Sequence, residues 1–321
     1  MKAIIHERYG RPKVLVLRDV DTPVVEDDQV LIRVHAASVN PVEWYGVTGF
    51  LPARMGNGLL RPKSSAVGGD VAGRVEAVGT DVHAFQPGDE VFGVAGGAWA
   101  EYACAREARL APKPARLSFE EAAAVPVAAL TALQALRDHA IVQPGQKVLI
   151  NGASGGVGTF AIQLAKEFGA DVTGVCSTAN VDTARSLGAD RVVDYTKEDF
   201  TKLGARHDVM LDIAGSRSFR QFKRALTPDA TAVLIGGKMT YRGLGPLLHL
   251  GSTFLVSRGR RPKVTFFVAK INAEDLAFLG ELLDTGKVKS VIDRRYELGD
   301  AAEALAYLGE GHAHGKVVIT A

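Results

Sequence analysis

The residues best suited to chemistry in this sequence are the glycines of segment 151–158, Asn-Gly-Ala-Ser-Gly-Gly-Val-Gly. Gly152, Gly155 and Gly158 lack side chains, so the backbone can turn sharply and approach a phosphate at the N–H groups of a helix N-terminus. The spacing Gly-x-x-Gly-x-x-Gly is a variant of the Gly-x-Gly-x-x-Gly motif that binds dinucleotides. It predicts such a site only when a strand precedes it and a helix follows it. We predict that a pyrophosphate is bound by Gly152, Ala153, Ser154, Gly155, Gly156, Val157 and Gly158.

The elements on either side of this loop support the prediction. The apolar run 148–150 predicts a strand, and apolar residues recur from Val157 to Phe168 with helical spacing until Gly169 stops the helix. Further strands at 171–176, 191–195, 209–213 and 232–235, with a helix at 181–187, predict a doubly wound parallel sheet. Ligands bind such sheets at the carboxyl ends of the strands. The residues expected to line the cofactor there are Asn151, Ser177, Ala214 and Gly236.

The tip of the second strand indicates which dinucleotide is bound. NAD sites usually carry an Asp or Glu about 20 residues after the glycines, which holds the ribose hydroxyl. Here Ser177, Thr178 and Asn180 occupy that place, and no carboxylate follows until Asp182. These small groups leave room for a 2′-phosphate, which Arg185 or Tyr195 could reach, so NADPH is predicted over NADH. Alternatively, residues 177–180 only cap the second helix.

Composition and charge narrow the class of protein. A chain of 321 residues with 47% hydrophobic content can bury a large core and is expected to form two domains. The net charge of +2 does not favour a nucleic acid or an anionic membrane as partner. The sequence has no run of 18 apolar residues, and its start resembles neither a signal nor a transit peptide, so a cytoplasmic location is expected. A disulfide between Cys104 and Cys176 is not expected.

The rest of the chain divides around the nucleotide-binding part. Alternation at 30–35 and 71–78 and a Pro-Gly turn at 87–88 predict a small β-barrel or sandwich. Ser118 resembles a helix N-cap, with the helix continuing over 122–136. Later elements are expected at 263–268, 273–283, 300–308 and 316–320, partly returning to the first domain. We predict domains at 1–121, 122–262 and 263–321. The apolar stretch 244–256 and the basic cluster Arg258, Arg260, Arg261 and Lys263 are interpreted as a packed helix and a solvated turn.

Several motifs taken together resemble a known family. They are Val-Asn-Pro-Val-Glu-Trp-Tyr at 39–45, Gly-Gly-Asp-Val-Ala-Gly at 68–73, Phe-Gln-Pro-Gly-Asp-Glu-Val at 85–91, the loop 151–158, and Gly-His-Ala-His-Gly-Lys-Val-Val at 311–318. The chain resembles the zinc-independent branch of the medium-chain dehydrogenase/reductase superfamily, most of all its quinone oxidoreductases and enone reductases. The resemblance implies a GroES-like β-barrel catalytic domain, a Rossmann cofactor domain, NADPH, a C-terminal return to the first domain, and a homodimer.

The resemblance also assigns site residues. Asn40 and Tyr45 match positions near the nicotinamide and substrate, Thr131 faces the cofactor, Tyr195 holds the adenosine phosphate, and Lys316 approaches the cofactor. Phe267 is added as a cofactor contact, since the loops around it help to shape the pocket, which is expected between the two halves. Packing in the small domain is the alternative for Tyr45, and a turn is the alternative for Asn40.

Departures from the zinc-dependent members indicate the chemistry. Those members have a cysteine before the Asn-Pro segment, Gly-His-Glu in place of Gly69-Asp70-Val71, and four clustered cysteines. With Cys104 alone in the first 120 residues, neither zinc site can be built from the usual thiolates. His312 and His314 are more typical of a polar turn than of a metal site, and His314 stands where many relatives have arginine.

Without a metal, the easiest acceptors are those already polarised. A quinone or an α,β-unsaturated carbonyl delocalises the charge that a simple ketone would place on an alkoxide. We expect direct hydride transfer from NADPH to such a substrate, with Tyr45 binding or polarising its oxygen and Asn40 orienting it or ordering the nicotinamide pocket. The alternatives are a zinc-free carbonyl reductase or alcohol dehydrogenase, which needs a strong donor that the sequence does not identify, and a non-catalytic NADPH-binding protein.

Overall fold

The structure, a computed structural model, describes residues 1–237, 251 and 261–321. Their contacts divide them into two compact units. The first contains residues 1–130 and 270–321, and the second contains residues 131–237 and 261–269. The domain limits expected at 121/122 and 262/263 stay predictions. Most of the apolar stretch 244–256, together with Arg258 and Arg260, lies outside the described residues.

The strands, in chain order, are β1 (Lys2–Ile5), β2 (Val16–Asp19), β3 (Gln29–Val39), β4 (Asp70–Val78), β5 (Glu90–Val94), β6 (Tyr102–Arg106), β7 (Leu110–Pro112), β8 (Lys147–Asn151), β9 (Asp171–Cys176), β10 (Arg191–Asp194), β11 (His207–Asp212), β12 (Leu226–Leu234), β13 (Lys263–Phe266), β14 (Ile292–Glu297) and β15 (Lys316–Thr320).

The α-helices are α1 (Pro41–Thr48), α2 (Leu51–Asn57), α3 (Phe119–Ala123), α4 (Pro126–Gln134), α5 (Gly156–Glu167), α6 (Val181–Ser186), α7 (Phe219–Phe222), α8 (Ala273–Asp284) and α9 (Ala301–Gly309). The single helix expected over 122–136 is interrupted between α3 and α4. Pro126 begins the second helix because it has no N–H to continue the first. A capping box between Ser118 and Glu121 starts α3, as predicted.

The sheet of the first unit has the order β14-β15-β3-β4-β5-β7, and β6 also pairs with β3. All its pairings are antiparallel except that of β14 with β15. The long central strand β3 is largely buried, with Val30 and Ile32 fully covered. Gly73 is required in β4, because a Cβ there would lie inside van der Waals contact of the Arg33 carbonyl oxygen. This fold confirms the predicted GroES-like β domain.

The register of this sheet brings distant polar residues together. Val317 of β15 lies opposite Val39 of β3, so Lys316 comes next to Asn40. Ala37 of β3 lies opposite Val71 of β4, which brings Ser38 beside Asp70. Ser38 and Asn40 are two residues apart and therefore point to the same side of the extended chain.

The second unit is built on a six-stranded parallel sheet with the order β10-β9-β8-β11-β12-β13. Helix α5 follows β8 through the glycine loop, as predicted, and ends before Gly169, whose φ of 77° is left-handed. Beneath the sheet, Phe219 and Phe222 pack with Leu149 and Met210. The doubly wound fold is confirmed.

The later elements divide between the two units, in line with the expectation that they return only partly to the first domain. The strand at 263–266 pairs with β12 and extends the parallel sheet of the second unit, whereas α8, α9, β14 and β15 belong to the first unit. β10 and β13 are the two outer strands of the sheet, and β12 lies inside it. Of the described residues, no helix is long and apolar enough to cross a membrane.

Candidate functional site

The glycine loop of the second unit has the geometry of a dinucleotide-binding turn. Gly152 has a φ of 97°, and its N–H and that of Ala153 both donate to the Val175 carbonyl oxygen of the neighbouring strand. Helix α5 starts at Gly156 with Gly155 as N-cap, and no side chain caps it. Its first-turn N–H groups are therefore available to an anion.

Two of the glycines serve different purposes. A Cβ on Gly158 would lie well inside contact distance of the Gly152 carbonyl oxygen, so this position has to be glycine for the turn to close. A Cβ on Gly155 would meet nothing closer than the Gly152 carbonyl oxygen at 3.7 Å. Glycine at 155 is therefore not needed for packing, and it leaves space beside the helix N-terminus. Both features fit a bound pyrophosphate.

Neighbouring strand ends complete the edge beside this loop. The Asn151 amide donates to Asp212 Oδ1 at 2.7 Å, and the Gly215 N–H donates to the same oxygen at 3.0 Å. Asp212 ends β11 and is 1% exposed. Gly236 follows β12, and its N–H donates to the Asp212 carbonyl oxygen at 3.3 Å. The structure therefore brings Asn151 and Gly236 together at one carboxyl edge, as expected. Asp212 is not among the residues predicted from the sequence, although an aspartate at the end of an apolar strand is a usable signal.

The tip of β9 carries a carboxylate from the next strand. Thr178 donates to Asp194 Oδ2 at 2.6 Å, and Thr196 donates to Asp194 Oδ1 at 2.7 Å. The hydrogen bond from Thr178 is the main cause that lowers the pKa of Asp194. Because both hydroxyl hydrogens are committed to this aspartate, Thr178 is not a free donor for a phosphate. Asn180 donates to Ser177 Oγ at 3.0 Å, which leaves the Ser177 hydroxyl hydrogen available.

Cationic and phenolic groups lie around this tip. Tyr195 directly follows β10 and is 53% exposed. The Arg185 side chain is also mainly exposed, 3.5 Å from Asp182, and it lies close enough to Cys176 at the end of β9 to counteract the burial that raises the pKa of that thiol to about 11. Lys197 lies 3.3 Å from Asp194. Arg185 and Lys197 are cations at this strand end, and guanidinium and ammonium groups are side chains that bind phosphates.

The remaining predicted cofactor residues are more scattered. Thr131 lies in α4 and is half-buried. Phe267 follows β13 and stacks on His139, with ring centroids 4.1 Å apart. Lys316 belongs to the first unit, where it is 3% exposed.

The first unit contains a buried polar cluster formed by Ser38, Asn40, Glu43, Asp70 and Lys316. Asp70 Oδ2 accepts hydrogen bonds from Ser38 at 2.6 Å, from the Asn40 amide at 2.9 Å and from the Lys316 ammonium at 3.2 Å. The Val127 N–H donates to the other oxygen at 3.0 Å. Lys316 also donates to Asn40 Oδ1 at 2.5 Å. Asp70 is completely buried, and its charge is matched inside the fold.

A second carboxyl group adjoins the cluster. Glu43 lies in the first turn of α1 and accepts a hydrogen bond from the Asn40 N–H at 2.7 Å, as in a capping box. Burial, followed by the charge of Asp70, raises the pKa of Glu43 to about 8. Glu43 therefore holds a proton at neutral pH, so that Asp70 and Lys316 balance each other.

Tyr45 is carried by the same helix, two residues after Glu43. Its ring is half-buried and lies 4.9 Å from the ring of Phe50, and burial raises the pKa of its phenol. Within the part of the chain that the structure describes, its hydroxyl has no hydrogen-bond partner, so it is a donor without a committed acceptor. Asn40 differs, because both ends of its amide are engaged by Lys316 and Asp70 and it is only 3% exposed.

The cluster does not suit a zinc ion. In the resemblance described above, Asp70 stands where the zinc-dependent proteins have histidine, and Gly69 before it has no side chain. The cation next to Asp70 is the ammonium of Lys316, which would repel a divalent metal. Among the described residues, no group of three or more His, Cys, Asp or Glu side chains could hold a metal.

Comparison with known proteins agrees with this architecture. Residues 26–115 match the model of the alcohol dehydrogenase GroES-like domain, and residues 187–319 match the model described as zinc-binding dehydrogenase. The chain is 33% identical to quinone-oxidoreductase QR1, chloroplastic, of Triphysaria versicolor, over 99% of this chain and 98% of that protein. It is also 33% identical to the NADPH-dependent alkenal/one oxidoreductase, chloroplastic, of Arabidopsis thaliana, over 99% of this chain and 79% of that protein. The quinone oxidoreductase structure from Coxiella burnetii superposes with a TM-score of 0.89 at 34% identity, over 100% and 99%.

The GroES-like unit and the dinucleotide-binding sheet define a dehydrogenase or reductase. The chain belongs to the medium-chain dehydrogenase/reductase superfamily, in its quinone-oxidoreductase and enone-reductase group, and it is an oxidoreductase. The predicted family is thereby confirmed, and so is the prediction that the cofactor is a nicotinamide dinucleotide.

The glycine loop generates a prediction with an internal control. Gly158→Ala should lower the melting temperature of the ligand-free protein, because its Cβ cannot be accommodated. Gly155→Ala should leave the free energy of unfolding within about 1 kcal/mol of wild type, yet weaken dinucleotide binding at least tenfold by crowding the pyrophosphate. Calorimetry and fluorescence titration measure both quantities. Equal dinucleotide affinity in Gly155→Ala and wild type would contradict the assignment.

The protonated state of Glu43 generates a pH prediction. Its pKa is about 8 in the fold and ordinarily 4.5, so the stability it contributes is fully present below pH 4.5 and is lost as pH rises through 8. Glu43→Gln keeps an acceptor for the Asn40 N–H without titrating. In urea unfolding, the free energy of unfolding of the variant should rise relative to that of wild type by on the order of 3 kcal/mol between pH 5 and pH 8. For the exposed control Glu303→Gln, the free energy of unfolding should change with pH as it does in wild type. The same pH dependence in Glu43→Gln would contradict the claim that Glu43 is protonated in the fold.

Proposed function

We propose that the protein transfers a hydride from NADPH to a quinone or to the β-carbon of an α,β-unsaturated carbonyl, without zinc. The observation that carries the proposal is the donor set of the first unit: an uncommitted Tyr45 hydroxyl on α1, the helix that begins at the cluster whose cation is Lys316. The relatives that are named for quinones and for alkenals or enones support the same acceptors.

The chemistry follows from what these residues offer. The bound nicotinamide supplies the hydride. Tyr45 donates a hydrogen bond to the acceptor's carbonyl oxygen, where negative charge develops as an enolate or hydroquinone anion. Water then delivers the proton, to the α-carbon of the enolate or to the oxygen of the hydroquinone anion, which completes the two-electron reduction. A single neutral donor is enough for such a delocalised charge, whereas the localised alkoxide of a simple ketone needs a stronger electrophile. Asn40 does not contact the oxygen in this scheme, because its amide is engaged by Asp70 and Lys316.

The positively charged side chains at the tip of β9 support a preference for NADPH over NADH. The tip of β9 offers the Ser177 hydroxyl, and the mainly exposed Arg185, Tyr195 and Lys197 side chains lie around it. Asp194 lies nearby, but two hydroxyl groups and Lys197 bind its oxygens. A phosphate is therefore favoured here over a bare ribose hydroxyl. The homodimer, the absence of a membrane partner and the cytoplasmic location stay predictions; the two relatives described above are chloroplastic by name.

The direct test compares matched acceptors. NADPH and NADH oxidation at 340 nm is followed with chelator-treated protein against 2-cyclohexen-1-one, cyclohexanone, a 2-alkenal and a small quinone. At least one conjugated acceptor should react, and cyclohexanone should react at least 100-fold more slowly than cyclohexenone, which corresponds to about 2.7 kcal/mol in barrier. Comparable reduction of cyclohexanone, or alcohol oxidation by NADP⁺, would favour a carbonyl reductase. NADPH binding without any turnover would favour the non-catalytic alternative.

Tyr45→Phe tests the proposed donor. The change removes the hydroxyl and keeps the ring against Phe50, so kcat/KM for the conjugated acceptor should fall about 10- to 100-fold while KM for NADPH changes less than twofold. Tyr102→Phe, a half-buried tyrosine of the same unit, is the matched control and should behave as wild type. An unchanged kcat/KM in Tyr45→Phe would show that the Tyr45 hydroxyl is not the donor to the acceptor's oxygen.

Arg185→Ala tests the cofactor preference. Loss of this guanidinium should raise KM for NADPH about tenfold and leave KM for NADH unchanged, because only NADPH has the 2′-phosphate. The control is Arg191→Ala, an exposed arginine at the opposite end of the parallel sheet. Equal effects on both cofactors would show that Arg185 does not contact the phosphate.

A further inference from the structure

The buried cluster connects Tyr45 with residues far away in the sequence. Lys316 and Asp70 each bond to the side chain of Asn40, and α1 begins at the next residue, Pro41. We propose that Lys316 and Asp70 are positioning residues that act through Asn40 on the helix carrying Tyr45, and that Lys316 does not bind the cofactor. The proposal rests on the proposed function only where it calls Tyr45 the donor.

The two charges select one orientation of the Asn40 amide. Its oxygen faces the Lys316 ammonium at 2.5 Å, and its nitrogen faces the Asp70 carboxylate at 2.9 Å. The flipped amide would place its NH₂ against the ammonium and its oxygen against the carboxylate, so both contacts would become repulsive. If uncharged side chains replaced Lys316 and Asp70, the two orientations of the Asn40 amide would differ much less in energy.

The fixed Asn40 in turn fixes the start of α1. Pro41 restricts φ at the first helical position, and the Asn40 N–H is bonded to Glu43 in the first turn. A helix of eight residues has little stability of its own, so its placement depends on such anchors. Tyr45 lies five residues beyond Asn40, roughly 7 Å along the helix axis. A change at Asn40 is therefore expected to reach the phenol.

The other end of α1 is held separately. The Gly49 and Phe50 N–H groups donate to the Tyr45 carbonyl oxygen at 3.1 and 3.0 Å, and the Trp44 ring packs so closely on α9 that Gly309 there has no room for a Cβ. Loss of the Lys316 contact should therefore loosen the first turn and the phenol without unfolding the helix. This separates a positioning role from general support of the fold.

The experiment places 3-fluorotyrosine at position 45 and records its ¹⁹F spectrum in wild type, Lys316→Met, Lys316→Arg and the double variant Lys316→Met/Asp70→Asn. Wild type should give one sharp resonance. Lys316→Met should give a broadened or split resonance, and Lys316→Arg should restore a single one. The double variant removes both charges together and so avoids an unpaired buried carboxylate; it should remain heterogeneous. The same label at Tyr102 is the control and should not change.

Kinetics of the same variants supply the second measurement. Lys316→Met should lower kcat for the conjugated acceptor about tenfold with KM for NADPH within twofold of wild type, and Lys316→Arg should recover most of kcat. A rise in KM for NADPH with normal kcat would assign Lys316 to the cofactor and overturn the proposal. An unchanged Tyr45 resonance in the folded double variant would overturn it as well, and so would equal changes at positions 45 and 102.

The two proposals can fail independently. The ¹⁹F measurement needs neither cofactor nor acceptor, so it tests the positioning role even if wild type reduces none of the acceptors. Conversely, a Tyr45 resonance that responds to Lys316, together with full activity of Tyr45→Phe, would keep the positioning role and remove the catalytic role of the phenol.

Discussion

The ion pair between Asp70 and Lys316 joins residues 246 positions apart in the chain. Its carboxylate is completely covered and its ammonium is 3% exposed, so neither charge could be tolerated alone in that place. The pair requires β15 to return beside β3 and requires β4 to begin beside the end of β3. It thereby links the last strand of the chain to the start of α1, and the proposed donor Tyr45 depends on that link.

The predicted anion site of the second unit depends on backbone geometry and not on a buried ion pair. Its anion site is formed by what the side chains leave free: glycine at 158 for closure of the turn, glycine at 155 for open space, and a helix N-terminus without a side-chain cap. Asp212 and Asn151 fasten the adjoining strand ends to each other. The proposed choice of NADPH depends on a separate place, the tip of β9, where Arg185 and Tyr195 lie near the strand end.

The sequence predicted best what depends on short-range patterns. The loop at 151–158, the helix that ends before Gly169 and the alternating strands follow from spacing and from glycine chemistry, so they could be placed without a structure. The helix expected over 122–136 was interrupted at Pro126, which its own sequence already contained. The cluster around Asp70 could not be derived, because it depends on the registers of β3 with β4 and of β3 with β15. The contact of Thr178 with Asp194 and that of Lys316 with Asp70 likewise depend on which strands are neighbours.

The central claim is that NADPH passes a hydride directly to a conjugated acceptor; with an enone the hydride goes to the β-carbon, and the carbonyl is kept. The most direct measurement uses NADPH deuterated at C4, with each face labelled in turn, and 2-cyclohexen-1-one as acceptor, followed by mass spectrometry and NMR of the product. The account predicts saturated ketone with one deuterium on the β-carbon from one of the two labelled cofactors. Deuterium on the carbonyl carbon of an alcohol, or its loss to water from both cofactors, would contradict it.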